Sequence, residues 1–242
     1  MSKQPTRDAA SPVSAAQDFS TELAEVEQQL RDATADLFPP FSQMVAAQLR
    51  SSRPLRRAAV VLTVGVAAPD NDVVRSQRVY LAAALEMLHL AITVHMILAD
   101  GASTDFPSRS LLGSTILAGD YCFSRAASLA VRTGHSTVVE IFSDALKRVS
   151  EGHLRRFFDP TADAYNEDRE LFVAGAAAAM HLARTPERAQ AWVLQMSEAL
   201  VSTPSEAVAS AWPPPKSIDA YQNARWQALL TWRSLDKNSA PP

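Results

Sequence analysis

YLAAALEMLHLAITVHMILA, residues 80–99, is the stretch from which the fold is read. It holds no glycine or proline, and its apolar side chains cover nearly the whole circumference of a helix, as expected of a helix buried in a core. Twenty residues would also reach across a bilayer. Glu86, His89 and His95 argue against that, because ionisable groups are costly at the bilayer centre. The stretch is therefore expected to be the central helix of a soluble bundle, with no transmembrane segment.

On both sides of it the apolar residues recur at spacings of three and four rather than two, and the chain has only seven glycines in 242 residues. Helices are predicted near 16–35, 40–51, 55–67, 72–99, 110–132, 136–157, 165–184, 187–202 and 217–234. They are separated by Pro39 and Pro40, Pro69, the Gly101 to Pro107 loop, Gly134, Pro160, Pro186 and the prolines at 213–215. A second helix, around Leu171 to Ala183, is apolar on most sides, and Ala176 to Ala179 permit close approach. The reading is an all-α bundle of about nine helices forming one domain, 16–234, with disordered tails at 1–15 and 235–242.

With 23 basic and 26 acidic residues, a net charge of -3 and 47% hydrophobic residues, the chain suits one globular domain. It lacks the positive field that holds a nucleic-acid backbone. The single cysteine, Cys122, rules out an internal disulfide and a cysteine-rich zinc site. Set in an apolar helical run, it is expected to pack as a small hydrophobe rather than act as a nucleophile. No secretory leader is recognisable, so the expected location is the cytoplasm.

Four segments carry a resemblance. Ala82-Ala83-Ala84-Leu85-Glu86-Met87-Leu88-His89, with His95 six residues on, is similar to the helix bearing the first aspartate-rich motif of the trans-isoprenyl diphosphate synthases, the polyprenyl synthetase family. Ile116-Leu117-Ala118-Gly119-Asp120-Tyr121-Cys122-Phe123-Ser124-Arg125-Ala126 is similar to that family's L-A-G-D-Y-L-x-x-x-A signature. Phe142-Ser143-Asp144-Ala145-Leu146 with Glu151-Gly152 resembles its S-x-A-x-x-x-x-x-E-G pattern, and Ser51-Ser52-Arg53-Pro54-Leu55-Arg56-Arg57 stands in the place of G-G-K-R-x-R-P. The resemblance runs from about residue 45 to 185. It implies an isoprenoid-synthase-like bundle with a shortened C-terminal part, and a chemistry of condensing isopentenyl diphosphate with an allylic diphosphate with the help of magnesium.

The residues that such chemistry needs are largely replaced. Magnesium on a diphosphate requires hard oxygen ligands, which the family supplies from two facing Asp-Asp-x-x-Asp segments. Here the first segment reads Met96-Ile97-Leu98-Ala99-Asp100, so Asp100 is its only remnant, and a thioether and an alkyl chain do not ligate a hard cation. From Ala189 to Leu230 no two aspartates are adjacent, and Asp219 stands alone. The lysine-arginine pair of the phosphate clamp becomes Arg53-Pro54, and the loop after Asp100 lacks Arg-Arg-Gly, with Arg109 nearby. If Leu171-Phe172 matches the end of the family's K-T-x-x-L-F, Glu167 and Asp168 replace its lysine and threonine and would repel a diphosphate.

The resemblance thus implies a degenerate, truncated member with no catalytic residues and no cofactor, its magnesium ligands lost. Arg53 and His89 are its vestigial substrate-binding candidates, with a histidine hydrogen-bonded inside the helical core as the other account of His89. Asp100 suits a helix end before Gly101 as well as a remnant ligand. Asp120 and Tyr121 are expected to serve packing, and His135, His153 and His181 to be surface or structural. Lys147, Arg148, Arg155 and Arg156 are expected to line a solvated face with ion pairs along the helix. The expected role is a non-catalytic subunit acting with a catalytic prenyl diphosphate synthase, or a homodimer. A divergent active prenyltransferase and an isoprenoid-binding protein are the alternatives, and the small Ala91 leaves room for a deep cavity.

Overall fold

A computed structural model describes residues 12–39, 41–51, 55–66, 70–101, 109–159 and 165–238. Among them are ten helices and no strand: α1 Pro12–Thr34, α2 Phe41–Ser51, α3 Arg56–Val64, α4 Asp72–Gly101, α5 Arg109–Val131, α6 Ser136–Phe158, α7 Glu167–Ala183, α8 Glu187–Ser202, α9 Ser205–Ala211 and α10 Ala220–Asn238. The expected helices are all present. The tenth, α9, is a seven-residue element between Pro204 and the proline run, burying only Ser205 and Val208. Helix α1 opens at Pro12, where a proline suits the first helical position.

Helix α4 is the centre of the bundle, packed against α5, α3, α1 and α7. It is the one described helix long and apolar enough to cross a membrane, but 72% of its apolar window is buried by the rest of the protein. Leu81, Ala82, Ala83, Ala84, Leu85, Met87 and Leu88 are all buried, which accounts for a segment with no polar face. Helix α1 shows the contrasting pattern: Ala15, Phe19, Leu23, Val26, Leu30 and Ala33 make one buried stripe at spacings of three and four. Helix α7 crosses closely over α3 and α4, because Gly175 leaves room for Leu85 and Val61, whose atoms would lie 2.7 and 3.1 Å from a Cβ there.

Charge is also buried in this core. Glu22 on α1 accepts hydrogen bonds from Arg78 of α4 at 2.6 and 3.0 Å and from Arg225 of α10. Arg78 also reaches Asp70 at 2.6 and 2.7 Å, and Arg225 donates to the carbonyl of Leu62 at 2.8 Å. Burial opposes the charge of Arg78, but Glu22 and Asp70 outweigh it and raise its pKa above the ordinary arginine value. Such a cluster fixes how three helices meet, since any partner left alone would be an uncompensated buried charge.

Candidate functional site

Helix α3 begins without a cap of its own. Leu55 precedes it in left-handed backbone with φ 61°, and its side chain makes no capping hydrogen bond. The cap comes from α4: Glu86 Oε1 accepts the backbone N–H groups of Arg57 and Ala58, each at 2.8 Å. A carboxylate there satisfies two orphan donors and complements the positive end of the helix. This is why the apolar helix carries an acid at that position.

Glu86 also meets the guanidinium of Arg57, with Nη1 3.4 Å from Oε2. The other arm of that guanidinium, Nη2, donates to Asp168 in the first turn of α7. Arg56 lies on the more open side, 3.9 Å from Asp168. It donates to the carbonyls of Leu200 and Val201 at the end of α8, at 3.2 and 3.3 Å, and rests over the Phe172 ring.

One turn further along α4, His89 Nδ1 lies 2.7 Å from Glu167 Oε1, and His153 Nε2 of α6 lies 3.3 Å from Glu167 Oε2. Burial opposes ionisation of Glu167. The hydrogen bonds with His153 and His89 and the charges of His89 and Arg57 prevail, holding its pKa at about 2. The Tyr165 ring packs against His153 and covers Gly152, where a Cβ would come within 2.4 Å of the ring. Burial and the nearby Glu170 and Glu167 push the Tyr165 hydroxyl pKa well up, so it stays protonated. The result is a continuous cluster of Arg56, Arg57, Glu86, His89, His153, Glu167 and Asp168, drawn from α3, α4, α6 and α7.

Of the residues singled out in the sequence, His89 lies in this cluster and Arg53 lies outside the described residues. Asp100 falls in the last turn of α4, and its side chain lies outside the described ones. His89 is about one-fifth exposed and hydrogen-bonded to a carboxylate of its own chain. Glu167 and Asp168 reach the same cluster as His89. His153, read as surface or structural, is a half-buried partner of Glu167, and His135 and His181 meet edge to face with ring centroids 5.9 Å apart. Arg155 pairs along its helix with Glu151, but Arg148 does not: it crosses to Glu170 on α7 at 2.9 Å.

Within residues 117–125 the inter-helix tie is made by Tyr121 and Arg125, whereas Asp120, expected to serve packing, is 60% exposed. Tyr121 Oη and Arg125 Nε both donate to the carbonyl of Ala33, at 3.0 and 2.8 Å, tying α5 to the end of α1. Gly119 is the seat of His95, whose ring atoms would lie 2.1 Å from a Cβ there, and Asp120 stands 3.4 Å from His95 Nε2. Cys122 is buried, and burial raises its thiol pKa to about 11, so it is neutral and unreactive at ordinary pH.

The described donors do not suit magnesium. Met96 presents a thioether and packs against the hydrophobic core. Asp219 is committed to α10: its Oδ1 accepts Gln222 N–H at 2.7 Å while Gln222 Oε1 accepts Asp219 N–H at 3.4 Å, a reciprocal capping arrangement. Among the described residues no three histidine, cysteine, aspartate or glutamate side chains group as a metal site.

In three dimensions the chain is similar to trans-isoprenyl diphosphate synthases. It matches a geranylgeranyl pyrophosphate synthase from Lactobacillus brevis with a TM-score of 0.60 at 19% identity, covering 90% of this chain and 87% of that one. It matches a decaprenyl diphosphate synthase from Rhodobacter capsulatus at 0.60 and 18%, covering 94% and 87%. A geranyltranstransferase from Thermotoga maritima matches at 0.62 and 16%, covering 91% and 99%. No family model and no curated protein matches the chain. The likeness shows the fold, the all-α isoprenoid-synthase bundle, and it extends beyond residues 45–185, where the sequence motifs stop.

Proposed function

We propose that this chain is a non-catalytic subunit that associates with a catalytic prenyl diphosphate synthase and modulates its output or stability. The observation that carries the reading is the chemistry of the positions that would grip magnesium diphosphate. Met96 is packed into the core and Asp219 is consumed as a helix cap. Loss of such electrostatic stabilisation removes the largest single contribution to departure of a charged leaving group. The helices, by contrast, are kept whole, as a protein that works by association needs.

A face for association is available on α5. Ile116, Leu117 and Val131 are exposed apolar side chains, and Ser124 and Ala127 lie between them on the same side of the helix. The exposed Asp120 lies on this side too, between Ile116 and Ser124, so the face is an apolar patch with one acid in it, and its small residues allow a partner helix to approach closely. The partner proposed for this face is the catalytic synthase, met in the cytoplasm, rather than a second copy of this chain.

Co-expression of the full chain with catalytic prenyl diphosphate synthases, followed by pull-down and analysis of product length, tests this. Co-purification with an altered product distribution or yield is expected, with no product from this chain alone. Elongation of prenyl chains by the isolated protein with isopentenyl diphosphate, an allylic diphosphate and magnesium would overturn it.

A further inference from the structure

We infer that the C-terminal tip of α6 docks on a lipid bilayer: Leu154 and Phe158 enter the surface of an anionic membrane, and Lys147 and Arg156 meet its phosphates. The inference rests on α6 alone and is independent of the synthase partner proposed above.

Helix α6 outruns the core it packs against. Phe142, Ala145, Val149 and Gly152 form its buried row, at spacings of three and four. Arg156 continues the same row, four residues after Gly152, yet it is exposed. The last turn therefore stands clear of the other described helices. Apolar side chains remain on this overhang: Leu154 is 58% exposed and Phe158 78%, the highest value among the described large hydrophobic residues. At a spacing of four they share one side of the helix, and Lys147, seven residues before Leu154, lies on that side too.

The charge of this half of the helix is mainly positive. Between Lys147 and Phe158 stand Lys147, Arg148, Arg155 and Arg156 against the single acid Glu151, with Asp159 just past the helix end. Glu151 pairs with Arg155, and Arg148 crosses to Glu170 on α7. Lys147 and Arg156 are both exposed and have no ion pair among the described residues. Cations in a last turn suit the negative end of a helix by themselves. That accounts for Arg155 and Arg156, but not for a leucine and a phenylalanine left in water beside them.

Shape and chemistry select the occupant. A stable protein contact covers about 800 Å² on each partner, and an overhanging tip with two apolar side chains offers no such footprint. A bilayer needs no matching shape. Its interface takes up leucine and phenylalanine, while lysine and arginine lay their aliphatic stems along apolar surface and keep their charged heads among the phosphates. Anionic lipid attracts each unpaired cation, so the docking favours negatively charged bilayers.

The test is sedimentation of the full chain with vesicles of phosphatidylglycerol and phosphatidylcholine in equal parts, and with vesicles of phosphatidylcholine alone. The native chain is expected to bind the mixed vesicles about tenfold more tightly or better. Leu154→Ser/Phe158→Ser is expected to abolish sedimentation with the mixed vesicles, and Lys147→Gln/Arg156→Gln to cut the preference for them to about threefold or less. Native protein that stays in solution with the mixed vesicles, or binds both kinds alike, overturns the inference. So does a Leu154→Ser/Phe158→Ser protein of native helical content that sediments as the native chain does. All of these side chains are exposed, so the fold is expected to survive their replacement. If that double variant aggregates, Phe158→Ser alone decides, and sedimentation equal to the native chain's overturns the inference.

Discussion

His89 Nδ1 and Glu167 Oε1 stand 2.7 Å apart, joining the middle of α4 to the first turn of α7 across 78 residues of sequence. The other oxygen of the same carboxylate holds His153, so one side chain ties α4, α6 and α7 together. Its neighbour Asp168 ties α3 to the same turn through Arg57. The start of α7 is therefore the place where a single change reaches four helices.

Acid should reveal Glu167. Its pKa is lowered to about 2 against an ordinary value near 4.5, so its contribution is complete above the ordinary value and disappears as the pH falls through about 2. That shift corresponds to about 3 kcal/mol. Urea unfolding of the native chain and Glu167→Gln is expected to differ by that order near pH 6, with the gap closing between roughly pH 4.5 and 2. A gap unchanged across that window would show that the carboxylate charge contributes nothing.

Glu22→Gln is expected to cost about 3–5 kcal/mol, because it leaves Arg78 and Arg225 facing a neutral amide with no exposure to water. The urea midpoint at neutral pH measures it. A loss below 1 kcal/mol would mean that Asp70 and the Leu62 carbonyl suffice for both cations.

Helix α7 ends on Arg184 in left-handed backbone, φ 51°, with Thr185 N–H bonded to the Met180 carbonyl at 3.0 Å. Glycine adopts that conformation without a Cβ penalty, and the arginine side chain is exposed. Arg184→Gly is therefore expected to stabilise the protein by about 1 kcal/mol, read as a rise in melting temperature.

Leu117 is 69% exposed on α5. Leu117→Asp is expected to leave stability within about 0.5 kcal/mol. It is also expected to abolish co-purification with a catalytic synthase. Retention of the complex would move the association surface elsewhere on the protein.

The helical class was legible because a run such as residues 80–99 contains no breaker and the prolines mark the ends of other helices. Helix α9 was not, since seven residues give too little periodicity to see. The site was half legible. His89, Glu167 and Asp168 stood out by their place in motifs, whereas His153 had no such signal and is brought in only by the packing of α6 on α7. Nothing local to Arg78 or Arg225 marks either as fully buried, because the carboxylate they share, Glu22, comes from α1, far from both in sequence. Arg148 shows the same limit: Asp144 is one turn away along α6, yet the arginine crosses to Glu170.

The borrowed cap on α3 bears on the order of assembly. A nine-residue helix is too short to persist alone in water. Among the described residues, the acceptor for its first turn is an acid almost thirty residues downstream. An excised peptide spanning α3 is thus a coil, and during synthesis the segment waits until α4 has been made before it can close its opening turn.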